Sequence, residues 1–534
     1  MAVNSTKKPV FAIEWKLLVF LVLFLDVKLA VKGVAIAFIY FVQPDFNFGI
    51  RTRDSRLPLF YLIVIGIGIF NLLTGPQISR NYLMVVFTGI LIWTACFLAV
   101  HQVKLFVEKT EKSVLHNTIL VFFILNIFFS ALNLFSIWTE IGIRNPFLYQ
   151  GQYQKYFINT GDYIKGISFN TSTTNAVINC FGVIYFLYRR NYPFVLACMA
   201  TLLLTASNFC NIILVLTLLG IFSGTDRREQ KSIIAICFML LIFFMAEVSP
   251  QNDNYLLTSF NKYILHKPED LSIRKLSIPI EERPDNLLTG ETRKEKMATL
   301  GLDSLKRIRA TEQSITGTPL PNIPVLRPEI PNDSIHTASF QWSRDTTDFQ
   351  RTIQNYIHLK KIRPDMPFTS ETVGKIQAFH QSFLFLKEHH AKILSGDGIG
   401  NFSSSLAYRA TGLKIAGGFP AGLTYSNTDF LSNHFSLYAF FISKNAESHS
   451  IIHNPASVYD QLLTEYGMIG VVAFLFCYLG YFLRNIKKLT YGLPLLAILL
   501  AVFWVDYWFE QLSIVVLFEL LFFMNIKEHD ESFI

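Results

Sequence analysis

Cysteine is scarce in this sequence, and its placement excludes two kinds of site. The six cysteines all lie inside hydrophobic segments, and none stands near a second one at the spacing of metal ligands. They are Cys96, Cys180, Cys198, Cys210, Cys237 and Cys477. The sequence therefore supports neither a disulfide framework nor a cysteine-bound metal.

Other metal-ligand patterns are missing from the long polar region as well. His449 and His453 are four residues apart, but Asn454 and Pro455 start a predicted helix only after both of them. Carboxylate triads at ligand spacing do not occur there either. We therefore expect the protein to need no metal cofactor.

Charged residues are rare within the hydrophobic segments. Glu519 is the only carboxylate inside a late predicted helix, whereas Asp26, Glu247, Asp506 and Glu510 lie near predicted helix ends. Because charges inside a membrane mark ion or proton paths, this scarcity argues against a proton-coupled transporter. The formal net charge of +8 comes largely from short basic runs between hydrophobic segments, so nucleic-acid binding is not expected.

Hydrophobic and aromatic residues are abundant instead. They make up 51% and 15% of the chain, and the mean hydropathy is +0.37. Since one span needs roughly 20 apolar residues, about twelve segments are candidates. They are 11–25, 29–43, 57–73, 82–100, 114–137, 171–188, 192–205, 209–222, 232–248, 463–483, 491–507 and 512–525. The sequence therefore predicts an all-α polytopic membrane protein.

The distribution of lysine and arginine predicts its orientation. With a cytoplasmic N-terminus, the cytoplasmic turns should carry most basic residues. The turns between alternate segments do so, through Arg51, Arg53, Arg56, Lys104, Lys109, Lys112, Arg189, Arg190, Arg227, Arg228, Lys231, Arg484, Lys487, Lys488 and Lys527. The exceptions are Lys28, Lys32, Arg80, Arg144, Lys155 and Lys165. We therefore expect both termini to be cytoplasmic.

The predicted membrane segments divide the chain into three regions. Residues 1–248 form an N-terminal membrane bundle of about nine helices, and residues 458–534 form about three more with a cytoplasmic tail. Residues 249–457 form one large extracytoplasmic insertion before the tenth helix, mostly helical and rich in loops. Its first half, 267–363, reads as loops with short helices such as 291–309. Its second half holds a predicted helix at 374–390 with one apolar face, formed by Ile376, Phe379, Phe383 and Leu386.

The stretch 451–485 joins this insertion to the tenth helix. Asn454 and Pro455 predict an N-cap and a first helical residue. Four residues then follow at helical spacing: Val458, Leu462, Glu465 and Ile469. Two interpretations remain open. This is an ordinary capped helix start, or it holds polar side chains at the membrane surface for an enzyme that acts on a lipid-linked substrate.

Other polar residues also allow two interpretations. The turn 396–402, GDGIGNF, could cradle a phosphate, but it lacks the Lys-Ser/Thr ending of a P-loop and follows a helix, as a helix-stop turn would. The basic residues of the external side could bind a lipid diphosphate or could be solvated surface charges: Arg144, Lys165, Lys375, Arg409 and Lys414. The loop histidines could supply a general base or could be merely solvent-exposed: His434, His449 and His453.

Four stretches, taken in order, resemble motifs of the bacterial O-antigen ligase and O-antigen polymerase family of membrane glycosyltransferases. Residues 165–175, KGISFNTSTTN, look like its basic-Gly-aromatic helix start, and 202–208, LLLTASN, look like its Leu-rich Thr-x-Ser-Arg stretch. Residues 374–402 resemble a helix that opens with Gly-Arg and ends in a glycine-rich turn. Residues 454–470, NPASVYDQLLTEYGMIG, are similar to its His-Asn/Ser-x-Tyr-Leu-x-x-Leu-x-Glu-x-Gly-x-x-Gly signature.

The sequence departs from the family at three functional positions. Ala456 stands at the histidine position, Lys375 at the arginine that opens the loop helix, and Asn208 at the arginine after Thr-x-Ser. Lysine keeps the charge of arginine but loses its bidentate fork, and alanine cannot replace histidine. His453 or His449 could stand in for it, or the step could be lost.

The resemblance implies a metal-independent transfer of a glycan from an undecaprenyl-diphosphate carrier to lipid A core or to a growing polysaccharide, in the bacterial inner membrane. It implies catalytic roles for His453, Lys375 and Arg409, and substrate-binding roles for Lys165, Lys414, Asn208, Glu465 and His449. The expected partners are this lipid-linked donor, the acceptor glycan and membrane lipids. The alternative is a non-catalytic polysaccharide export scaffold or a flippase-like transporter.

Overall fold

The computed structural model describes residues 11–26, 29–51, 55–75, 79–142, 145–148, 160–169, 171–250, 373–412, 418–441 and 454–530. Within these ranges every regular element is a helix, and there is no strand. The predicted all-α class is confirmed for them. The predicted loops and short helices of 267–363 lie outside the described residues, as does most of 249–457.

The helices of the N-terminal part are α1 Trp15–Asp26, α2 Leu29–Val42, α3 Phe60–Thr74, α4 Arg80–Lys109, α5 Lys112–Ile141, α6 Ser172–Tyr188, α7 Tyr192–Leu204, α8 Asn208–Gly224 and α9 Arg228–Phe243. The next four are α10 Gly374–Glu388, α11 Lys392–Ser395, α12 Ser405–Ala410 and α13 Phe435–Phe441. The last six are α14 Val458–Glu465, α15 Gly467–Ala473, α16 Gly480–Leu483, α17 Gly492–Val502, α18 Trp508–Gln511 and α19 Ser513–Asp530.

Several helices have the apolar character of membrane spans. Among the described residues, three are long and apolar enough to cross a membrane: Arg80–Lys109, Lys112–Ile141 and Arg228–Val248, in which a π-helical turn extends α9. Shorter apolar helices accompany them, including Phe60–Thr74, Asn208–Gly224 and Gly467–Leu483. A helix lies in each of the twelve predicted segments. The number of spans itself stays a prediction.

Two helices occupy the centre of the bundle. α6 and α19 are buried on nearly all sides, as expected for helices that are apolar all round. α19 packs against α4, and Tyr61 of α3 donates a hydrogen bond of 2.7 Å to the carboxyl of Glu519 on α19. This bond gives the fully buried carboxyl group of Glu519 a hydrogen-bond partner.

The start of α14 differs from the predicted cap. Its N-cap is Ser457, whose hydroxyl accepts from the amide of Tyr459, whereas Asn454 accepts from the amide of Ala456 in a turn before the helix. The single helix from Val458 through Ile469 is also wrong. α14 ends at Glu465, and Gly467, with φ +64, begins α15 in a new direction. The spacing of side chains along the sequence does not reveal such a break, because the break depends on contacts with the backbone of another segment.

Candidate functional site

The glycine-rich turn and the junction of α14 with α15 lock together through their backbones. The amide of Asp397 donates to the carbonyl of Thr464 at 2.8 Å, and the amide of Gly398 donates to the carbonyl of Glu465 at 3.1 Å. A Cβ on Gly396 would lie 2.4 Å from the carbonyl carbon of Glu465, so this approach requires glycine. Two stretches that are far apart in the sequence therefore form one unit.

The backbone amides of the glycine-rich turn donate hydrogen bonds to a carboxyl group of the protein itself. The amide of Phe402 donates to Glu465 at 3.3 Å, and Glu465 is fully buried. Burial raises the pKa of Glu465 to about 8, although the nearby hydroxyl of Ser404 and the amide of Gly400 oppose this shift. The turn thus acts as an internal anchor for α14, in keeping with the helix-stop interpretation.

Lys375 lies beside this unit, near the start of α10. Its side chain is buried, and its Nζ donates to the carbonyl of Ala456 at 2.6 Å and to that of Val505 at 3.0 Å. Burial lowers the pKa of Lys375 to about 7, although Asp506 and Asp460 act in the opposite direction. The amine can therefore exchange a proton near neutral pH.

Acidic side chains surround Lys375 and Arg409. Burial raises the pKa of Asp460 to about 6 and that of Glu510 to about 7, and it also raises the pKa of Asp506. Arg409 is exposed at the end of α12, and its charge lowers the pKa of Glu510 and of Asp506. Three residues predicted for the site, Lys375, Arg409 and Glu465, thus lie around one cluster of carboxyl groups.

A buried hydrogen-bond network extends from Asp460. The hydroxyl of Ser403 donates to Asp460 at 2.7 Å and lies 3.2 Å from Nε2 of His434 and 3.0 Å from the hydroxyl of Tyr507. Burial lowers the pKa of His434 to about 3, which keeps the imidazole neutral. Ser403 contacts both the carboxylate of Asp460 and the imidazole of His434, so serine is the central residue of the three. In a serine-hydrolase triad the central residue is histidine.

Sequence reasoning named His434 only as one of several loop histidines and missed the roles of Ser403 and Tyr507 altogether. These residues come from three separate segments and meet only after folding. The sequence contains only weak indications of this network. Ser403 directly follows the glycine-rich turn, and Asp460 lies inside the most specific motif.

α10 buries only part of its predicted apolar face. Lys375, Gln381 and Ser382 are buried, whereas Ile376 and Phe383 are 62% and 64% exposed. Leu386 is buried as expected, and Phe379 stacks on Trp504 with ring centroids 4.9 Å apart. The buried face of α10 thus combines polar and apolar residues, and Ile376 and Phe383 are left outside.

Lys165 and Asn208 lie at the starts of two other elements. Lys165 precedes a 3-10 turn, Gly166–Ser168, which packs against α5 and α6, and the side chain of Asn175 donates 2.7 Å to the carbonyl of Ile164. Asn208 is the first residue of α8.

The remaining candidates lie outside the described residues: Arg144, Lys414, His449 and His453. Within the described ranges, no group of three or more histidine, cysteine, aspartate or glutamate side chains is placed to hold a metal ion.

We expect Glu465→Gln to flatten the pH dependence of stability. Burial raises the pKa of Glu465 from 4.5 to about 8, so the stability that this group contributes is complete below 4.5 and is lost as the pH rises through 8. Glutamine keeps the shape of the protonated acid and does not titrate. The melting temperature of the variant should therefore fall less than that of the wild type between about pH 5 and about pH 8.

The exposed Glu111→Gln serves as the matched control and should follow the wild type. An unchanged pH dependence in Glu465→Gln would mean that this carboxyl group is ionised at neutral pH in the folded protein.

Comparison with known proteins identifies no relative. No family model, curated protein or solved structure matches this chain.

Proposed function

We propose that this protein is a membrane glycosyltransferase of the O-antigen ligase or polymerase type. It spans the bacterial inner membrane about twelve times with both termini in the cytoplasm. It takes a glycan from an undecaprenyl-diphosphate carrier and transfers it, without a metal ion, to lipid A core or to a growing polysaccharide.

The observation that carries the proposal is the contact between Lys375 and Ala456. They stand at the positions that match the family's arginine and histidine, and they are 81 residues apart in the sequence. The amine of Lys375 nevertheless donates directly to the carbonyl of Ala456. The resemblance rests on separate sequence motifs. Motifs that form one site must lie next to each other in the folded protein.

The chemistry of the cluster suits a phosphorylated donor. Burial raises the pKa of Asp460 and of Glu510, and this shift weakens the repulsion between these carboxyl groups and a diphosphate. In the proposed reaction, Lys375 and Arg409 stabilise the departing diphosphate. His453 takes the proton of the acceptor hydroxyl, and Glu465 fixes the start of the tenth membrane helix.

The exposed face of α10 supports a donor with a long lipid tail. Ile376 and Phe383 lie on the same helix as Lys375, and Leu394 on α11 is 63% exposed. α11 in turn packs against α15, whose Ile469 and Val472 are exposed. Exposed apolar side chains therefore lie on α15, on α11 and on the helix that carries Lys375, where a lipid tail could contact them.

One observation favours the alternative, a non-catalytic export scaffold. Ala456 lies in an apolar cluster with Tyr408, Phe430 and Tyr438, and it offers no group for proton transfer. Reconstitution of the full chain with an undecaprenyl-diphosphate oligosaccharide and an acceptor glycan separates the two functions. We expect release of undecaprenyl diphosphate without any partner protein and in the presence of a chelator. A protein that binds the lipid but releases nothing would be a scaffold.

A further inference from the structure

A large cavity opens sideways between α8 and α17, apart from the candidate site. Its volume is about 860 Å³. The walls are apolar or small, and they are formed by Ile213, Leu216, Gly220, Leu493, Ala497 and Ala501. Leu216 is 63% exposed and Leu493 is 44% exposed, so the wall faces the surroundings of the bundle. The stretch from Ile213 to the end of α8 is about 16 Å long at the rise of an α-helix, which suits part of an acyl chain.

One end of this cavity is polar and cationic. Arg189, Arg227 and Gln230 line it together with Thr225 and Glu528. Glu528 is already paired, because it accepts from Arg189 and from the hydroxyl of Tyr491. The guanidinium of Arg227 is exposed and has no carboxylate partner among the described residues. The net charge of this end is therefore positive.

Gln230 is a buried donor without a partner at the same end. It is 3% exposed, and its carbonyl oxygen accepts from Thr225 at 2.7 Å. Its Nε2 has no hydrogen-bond partner in the described part of the chain. A buried amide left in this state costs free energy unless a bound group accepts from it.

We infer that this cavity binds an anionic glycerophospholipid, with its phosphate at Arg227 and Gln230 and one acyl chain between α8 and α17. The guanidinium supplies the charge, and the amide of Gln230 supplies a donor beside it. The apolar walls replace water around the chain. This site is independent of the proposed transferase activity.

The test measures the binding of phosphatidylglycerol and of phosphatidylcholine with the same acyl chains to the delipidated full chain, by native mass spectrometry. We expect the wild type to prefer phosphatidylglycerol. Arg227→Ala should weaken phosphatidylglycerol binding about tenfold, since it removes one charge-assisted hydrogen bond. Arg228→Ala is the matched control, because Arg228 is the next residue and does not line the cavity; it should bind like the wild type.

A second variant tests the path of the acyl chain. A Cβ on Gly220 would meet nothing within 4 Å, so this position accepts a side chain, and Gly220→Leu places an isobutyl group at the cavity wall. It should weaken the binding of both lipids. The inference is overturned if both lipids bind alike to the wild type, if Arg227→Ala and Arg228→Ala have equal effects, or if Gly220→Leu binds both lipids normally. Displacement of phosphatidylglycerol by millimolar inorganic phosphate would also overturn it, because it would indicate a site for the anion alone.

Discussion

Replacing Gly467 with alanine should prevent most of the protein from folding. A Cβ at this position would lie 2.4 Å from the carbonyl oxygen of Leu394 and 2.5 Å from the amide nitrogen of Gly396. Both are backbone atoms, which cannot rotate away as a side chain can. The residue also has φ +64, and this conformation adds strain of roughly 1–3 kcal/mol for alanine. The overpacking adds roughly 1–3 kcal/mol more.

Gly142→Ala is the matched control for this prediction. Gly142 has φ +71, but a Cβ there would meet nothing within 4 Å. Gly142→Ala therefore introduces the backbone strain but no steric clash. The yield of monodisperse protein and its melting temperature measure both variants. Equal losses in the two would show that the turn and the α14–α15 junction are not in close contact.

The helices could largely be predicted from the sequence, because apolar runs of sufficient length determine them. The run at 171–188 contains α6, and the run at 82–100 contains most of α4. The positions at which the helices end were less predictable. α4 continues to Lys109, beyond the apolar run, because polar residues such as His101 and Gln102 are also buried in this bundle.

The candidate site could be predicted only in part. The motif residues Lys375 and Glu465 were named from their place in the sequence, and the structure brings both to one cluster. The sequence predicted the apolar face of α10 but not its direction, and only part of that face is buried because Lys375, Gln381 and Ser382 also point inward. Ser403 and Tyr507 were missed because no local pattern links residues that are 104 positions apart.

Removing the amine of Lys375 should abolish glycan transfer. The amine is buried, it donates to the carbonyl of Ala456, and Asp506 and Asp460 lie near enough to favour its charged form. Loss of one preorganised charge-stabilising group in an active site lowers the rate by about 100-fold or more. Lys375→Met keeps the apolar stem and its packing, so that a loss of activity can be separated from a loss of fold.

Lys387→Ala is the control for this variant, because Lys387 is exposed on the same helix. Equal melting temperatures and equal amounts of inserted protein would establish that the variants are folded. Lys375→Arg should retain part of the activity if charge alone is needed, and should lose it if the larger guanidinium does not fit between the carbonyls of Ala456 and Val505.

The most direct measurement is the release of undecaprenyl diphosphate from a lipid-linked oligosaccharide by equal amounts of folded wild type, Lys375→Met and Lys387→Ala. We predict equal release by the wild type and Lys387→Ala, and about one-hundredth of that or less by Lys375→Met. Release by Lys375→Met at the wild-type rate would contradict the assignment of this buried amine to the transfer reaction.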